Sequence, residues 1–226
     1  MSNISNIVRR LIQSKPLIYE GMIEGVISHT ALAENLLPEI EKELGKEVHL
    51  PAIIMAIRRY NESLFESEKI KIPDFKFNSE IIMKSGLADI TLVKSPTAIE
   101  KIKKLYSFVN FDRGDTLNII HGNYEITIVI SEKHLQKTKE LLKDEKILNI
   151  EKNLVSLSVS FSSDFLHTPG IISKVIRKLA WENINIYENI STMTELIFII
   201  HSKDSVRAYK ALEILIEESN HEKTKK

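Results

Sequence analysis

Apolar residues in the first part of the chain recur at helical spacing, as in Ile4, Ile7, Val8, Leu11 and Ile12, and again in Ile53, Ile54 and Ile57. Such a stripe belongs to helices with one buried face, so the stretch up to about Ser67 is predicted to be all helix, in four or five short pieces. Ser28 is placed to cap a helix opening at His29, and Gly45 to end one in the left-handed conformation. Pro38 and Pro51 are expected in first helical turns. The charged run from Glu66 to Pro73 reads as a connection.

Beyond it the period falls to two. Val155, Leu157, Val159 and Phe161 alternate with Ser156, Ser158, Ser160 and Ser162, which predicts a strand with one buried and one polar face, in a sheet covered on one side only. A helix from Pro169 to Trp181 follows, with Ile172, Val175, Ile176 and Leu179 on one stripe. Strands from Ile184 to Ile190 and from Glu195 to His201 come next, then a helix from Asp204 to Glu217. The preceding stretch has the same order: strand Ala88 to Val93, helix Pro96 to Val109, strands Thr116 to His121 and Glu125 to Ile130, helix Glu132 to Leu142, strand Ile147 to Ile150.

Two βαββαβ units therefore lie in tandem, with Asn118-Ile119 falling on Asn185-Ile186 at an offset of 67 and Glu125 on Glu195 at 70, an internal duplication. The second copy lacks a fourth strand of its own. The strand from Ser79 to Lys84 is expected to supply it, which would interleave the copies. The expected organisation is α+β: a helical domain over 1–72, ferredoxin-like units over 78–152 and 153–220, and a disordered tail over 221–226.

Composition narrows the function. With 43% hydrophobic residues, seven glycines and six prolines in 226, the chain is too apolar for disorder and too poor in breakers for a collagen. Its 31 basic and 31 acidic groups cancel, and they nearly cancel in each part: 10 against 11 over 1–77, 12 against 11 over 78–152, 9 against 9 over 153–226. No part carries the basic excess of a nucleic-acid footprint. The absence of cysteine excludes disulfides, thiolate nucleophiles and cysteine-held zinc. The first residues have no basic stretch followed by an apolar one, and the longest apolar run, Ala52 to Ile57, is too short for a bilayer, so a cytoplasmic location is expected.

Catalytic motifs are missing: there is no G-x-G-x-x-G, P-loop, H-E-x-x-H or G-x-S-x-G. His134 on an exposed helix, His201 at a strand end and His221 in the tail are expected to be solvated or capping. No catalytic residue, metal or cofactor is expected. The distinctive feature is the turn Ser163-Asp164-Phe165-Leu166-His167-Thr168-Pro169-Gly170 between a strand and a helix. Thr168 can cap the helix, Pro169 suits its first turn, and Gly170 leaves room where a β-carbon would block a ligand. Free N–H groups at such a helix start suit a carboxylate, although a well-capped helix needs no ligand.

The segment from Thr168 to Thr192, with its proline-glycine helix start, the Asn183-Ile-Asn-Ile strand entry and the Ile190-Ser-Thr strand end, resembles the ACT domain. It is most similar to the paired regulatory ACT domains of aspartate kinases. The resemblance extends over about 153–218 and is weak over 86–151. It implies a module that binds a small effector, usually an amino acid, and associates into dimers or larger oligomers. By position it implicates Asp164, His167, Thr168, Pro169, Gly170, Ile171 and Asn185. A backbone amide cluster would take the effector carboxylate and Asp164 or Asn185 its ammonium or side chain. Asn183 stands where the family usually has glycine, which asparagine's ease in the left-handed region tolerates. The first copy has Lys94-Ser-Pro-Thr and no glycine in its turn, so loss of its own site is expected.

No nucleotide motif precedes the pair, so a kinase activity is not expected. Gly25 to Asn35 with Ala52 to Tyr60 looks like the helical domain of archaeal stand-alone ACT proteins. A helix-turn-helix is one reading of it, with Arg58 and Arg59 near DNA phosphates, supported by Arg9, Arg10, Lys42 and Lys46. Three readings follow: a non-catalytic regulator that binds an amino acid through a tandem ACT module, a DNA-binding transcriptional regulator under ACT control, and a ligand-free oligomerisation module.

Overall fold

The computed structural model describes residues 3–67, 77–161 and 167–221, which divide into two compact units, Met1–Lys71 and Ile72–Lys226. The first holds four helices: α1 (Ile4–Gln13), α2 (Pro16–Ile23), α3 (His29–Leu44) and α4 (Leu50–Ser67). Ser28 caps α3, its side chain accepting from the Ala31 amide, and Gly45 ends it at φ 65°. Pro51 lies in the first turn of α4 as expected, but Pro38 lies inside α3. There α3 gives up the bond that a residue with an N–H would make four residues back, and burial of Leu32, Ala33, Leu36 and Ile40 along one face holds the helix through it. These side chains meet Ile7, Val8, Leu11 and Ile12 of α1 and Ile53, Ile57, Tyr60 and Leu64 of α4 in one core.

The second unit runs β1 (Phe77–Val93), α5 (Pro96–Lys103), β2 (Leu117–His121), β3 (Glu125–Ser131), α6 (Leu135–Leu141), β4 (Ile147–Phe161), α7 (Ile171–Trp181), β5 (Ile186–Ser191), β6 (Glu195–His201) and α8 (Ser205–His221). Short 3-10 turns at Lys104–Ser107, Glu132–His134 and Ser202–Asp204 take up the ends of the longer helices that the apolar spacing predicts. The strands form one six-stranded antiparallel sheet in the order β2-β3-β1-β4-β6-β5.

Two long strands carry the duplication. The second half of β1, Leu87 to Val93, pairs with β3 and with the start of β4, closing the first βαββαβ unit. Its first half pairs with the end of β4, Ile81 against Val159 and Lys84 against Ser156, and so gives the second unit its fourth strand. The interleaving expected from the missing strand is present. At the crossover Leu87 faces Leu154, and each follows a residue in the left-handed region: Gly86 at φ 71° and Asn153 at φ 55°. Register shifts on both sides of Leu87 mark the bend there.

One face of the sheet packs on the helices through two cores, Ala88, Ile90, Leu92, Ile126, Ile128 and Ile130 against α5 and α6, and Val155, Leu157, Val159, Phe161, Leu196 and Phe198 against α7 and α8. The other face is not the open polar face that the serine alternation suggests. Leu87, Val129, Leu154 and Ile199 form a further buried cluster on it, and Ser156, Ser158, Asp89 and Thr127 are at most 9% exposed. Glu188 of β5 lies near enough to Thr127 of β3 and Asp89 of β1 to influence their electrostatics, although β5 and β3 stand four places apart in the strand order, about 19 Å in a flat sheet. The bends at Gly86 and Asn153 therefore fold the two halves of the sheet towards each other over this face.

Candidate functional site

The candidate residues fall between β4 and α7 and at the start of β5. Asp164 lies outside the described residues. His167, Pro169 and Gly170 are exposed, Thr168 is half-buried, and Ile171 is buried in the core under α7. The helix opens two residues later than the proline suggests: Gly170, at φ 90°, takes the capping position that the sequence assigns to Thr168, and Ile171 is the first helical residue. Burial of Ile171, Val175 and Leu179 sets this start, because α7 docks by these three positions. Among the described residues no atom lies within 4 Å of where a β-carbon on Gly170 would stand. The φ of Gly170 makes any L-residue there strained, on the order of 1 kcal/mol or more, with asparagine the mildest replacement.

Strand register separates Asn185 from this turn. Ile186 lies level with Ile200, and Ile200 with Val155, at the start of β4, whereas the turn leaves from its far end after Phe161. The 11 residues of α7 span about 16 Å between the two places. Asn185 is exposed, and Asn183 holds the left-handed conformation expected of it, at φ 53°.

The matching turn of the first copy is filled. Ser95 caps α5, its Oγ accepting from the Ala98 amide at 3.0 Å, and the same hydroxyl lies 3.0 Å from Glu145 Oε2. Thr97 Oγ1 donates to that oxygen at 3.1 Å, and Lys101 Nζ lies 2.9 Å from Glu145 Oε1. The Lys101 ammonium, then the two hydroxyls, hold the Glu145 carboxyl below the usual carboxylate range, against the opposing effect of burial. Glu145 sits 50 residues from Ser95 in a charged loop, Lys143-Asp-Glu-Lys, and nothing in that loop singles it out.

Of the expected histidine roles, that of His134 changes and that of His201 gains detail. His134 is not solvated: its Nε2 is 2.6 Å from Asp115 Oδ2, and its ring packs beside Phe108. Asp115 also pairs with Lys133 at 2.5 Å and accepts from the Asn110 amide at 3.0 Å; the Lys133 contact foremost pulls its pKa far below the usual range. His201 does cap, accepting from the Lys203 amide. On the concave face of the sheet, burial and the neighbouring Glu188 raise Asp89 to about 6, opposed by the Thr91 hydroxyl that donates to it at 3.3 Å.

In the helical unit Arg58 and Arg59 are exposed on α4, and Arg58 pairs with Glu62 at 3.3 Å. Arg10 pairs with Glu43, and Arg9 lies over the Tyr60 ring at 5.6 Å. The apolar centre of α4 is core through Ile53, Ala56 and Ile57. Among the described residues no three histidine or acidic side chains are grouped to hold a metal, and no helix is long and apolar enough to cross a membrane.

Comparison with known proteins bears on the second unit. A crystal structure of Clostridium acetobutylicum aspartate kinase is similar at a TM-score of 0.51 and 18% identity, over 68% of this chain and 37% of that one. The regulatory subunit of aspartate kinase from Thermus thermophilus is similar at 0.47 and 15%, over 58% and 93%, and a structure of aspartokinase alpha and beta subunits at 0.48 and 19%, over 58% and 93%. No curated protein matches the sequence. The likeness to the Clostridium enzyme shows a shared fold, and residues 149–213, which include the turn at Gly170 and all of α7, β5 and β6, match the ACT domain family.

Proposed function

We propose that this chain is a non-catalytic regulatory protein whose second βαββαβ unit binds a small effector, an amino acid, at the head of α7. One observation carries the reading: the two copies of one duplicated turn differ, the first filled by the chain's own Glu145 and the second with no described residue crowding Gly170. The second turn offers the amides of a helix start, suited to a carboxylate. The ACT match over 149–213 and the shared fold support it. Because Asn185 lies at the other end of α7, it meets an effector at Gly170 only across an interface with a second copy, which fits a protein that works as a homodimer or larger oligomer. Binding there regulates by favouring one arrangement of copies over another.

DNA contact draws less from the structure. Arg58 and Arg10 are both engaged with carboxylates, and the 10 basic groups over 1–77 face 11 acidic ones.

A thermal-shift screen of the twenty amino acids tests the reading. One or a few are expected to raise the melting temperature of the wild type at millimolar concentration. Gly170→Asn, which keeps the left-handed turn but adds a side chain there, is expected to fold and to lose the response. Silence from all twenty would leave the ligand-free oligomerisation module standing.

A further inference from the structure

The contacts of Glu145 say more than that one turn is closed. They show which side chains this duplicated turn uses to hold a carboxylate: a hydroxyl just before the proline, and a lysine five residues after it. The two helices can be aligned by the residues they bury. Ala98 and Ile102 on one side correspond to Ile171 and Val175 on the other, and the same alignment sets Ser95-Pro96 on Thr168-Pro169. Lys101 then falls on Lys174 at an offset of 73, and Thr97 on Gly170. The carboxylate partner is what differs. Glu145 arrives on the connection from α6 into the fourth strand of the first unit, whereas the fourth strand of the second unit is the start of β1, entered from another part of the chain. Lys174 is half-buried and has no acidic partner among the described residues.

We infer that Lys174 is the carboxylate-holding side chain of the second unit, and that Glu145 fills the same place in the first as a built-in occupant. The inference rests on the proposed effector site and names its charge partner. Lys174 acts there as Lys101 acts on Glu145: an ammonium from the first two turns of the helix, adding a charge-assisted bond to the amides at its head. The chain accordingly takes one carboxylate ligand, not two.

Acetate, with chloride at equal ionic strength as the control, tests both halves by melting temperature. In Glu145→Ala, acetate is expected to recover at least half of the lost melting temperature where chloride recovers none. Glu145→Gln, which keeps the shape and loses the charge, serves if the alanine variant does not fold, and its loss should be abolished in the Lys101→Met background. Equal responses to acetate and chloride, or a Glu145→Gln loss unaffected by Lys101→Met, would overturn the assignment of the first turn. For the second, Lys174→Met is expected to weaken the amino acid found in the screen at least tenfold, with Lys174→Arg recovering most of it. Binding within threefold of wild type in Lys174→Met sinks the inference and leaves the proposed function intact. If no amino acid binds, yet acetate stabilises the wild type over chloride and Lys174→Met abolishes that gain, the proposed function fails and the inference holds.

Discussion

Leu154→Ala is expected to destabilise the 77–221 unit by about 2–5 kcal/mol, the usual cost of truncating a fully buried leucine whose surroundings cannot collapse. Leu154 has no exposed surface and pairs with Leu87 where β1 and β4 cross from one copy to the other. It also belongs to the cluster with Val129 and Ile199 that lies under the folded sheet. A cavity there touches both halves at once. Because each copy borrows a strand that continues into the other, neither can unfold while the other keeps its four strands. Amide exchange should therefore speed up together in β2 and β3 of the first copy and in β5 and β6 of the second, with a single denaturation transition. Loss of protection confined to β5 and β6 would mean that the copies are independent domains that merely share a boundary.

Asp89→Asn is expected to raise stability at neutral pH, on the order of 1–2 kcal/mol once screening is allowed for, because it removes a charge held beside Glu188 on the closed face of the sheet. The pH dependence follows from the sign of the shift. The folded pKa of Asp89, about 6, lies above its ordinary 3.8, so the folded state takes up a proton first, and its contribution is complete below the ordinary value and lost as pH rises through 6. Glu188, raised by burial, acts in the same direction. Asp115 and Glu145 are lowered, so their contributions are present above the ordinary carboxylate values and lost as pH falls below them. The wild-type melting temperature should peak near pH 4, where the lowered and raised carboxylates balance, and Asp89→Asn should flatten the decline from about 4 to 6. A wild-type curve that rises steadily to pH 8, or a variant with the same slope, would contradict this account of the concave face.

What could be read from the chain alone follows from how local each signal is. The alternation from Val155 to Phe161, the stripes on α1 and α4, and the caps at Ser28 and Gly45 all act within a few residues, and the structure has them; on α7 the buried stripe is Ile171, Val175 and Leu179, with the expected Ile172 exposed. The borrowed strand was legible because the duplication left one copy a strand short. Side-chain alternation gives the two faces of a strand but not what covers them, so Ser156 and Ser158 read as solvated until a bend of the whole sheet buries them. Pro38 fails as a helix-start signal because burial along one face of α3 outweighs one missing backbone bond. The head of α7 is set by which residues dock, not by its proline. The partners of His134 and Glu145 lie 19 and 50 residues away, and charged side chains on loops carry no periodicity that would pair them.

The central claim, one effector site at the head of α7, is tested most directly by mapping amide shifts across the full chain while the stabilising amino acid is titrated in. The account predicts saturable shifts at one ligand per chain, largest from Thr168 to Lys174, with the amides of Ser95 to Lys101 unmoved. A map centred on Ser95 to Lys101, or on the helices of the first unit, would contradict it.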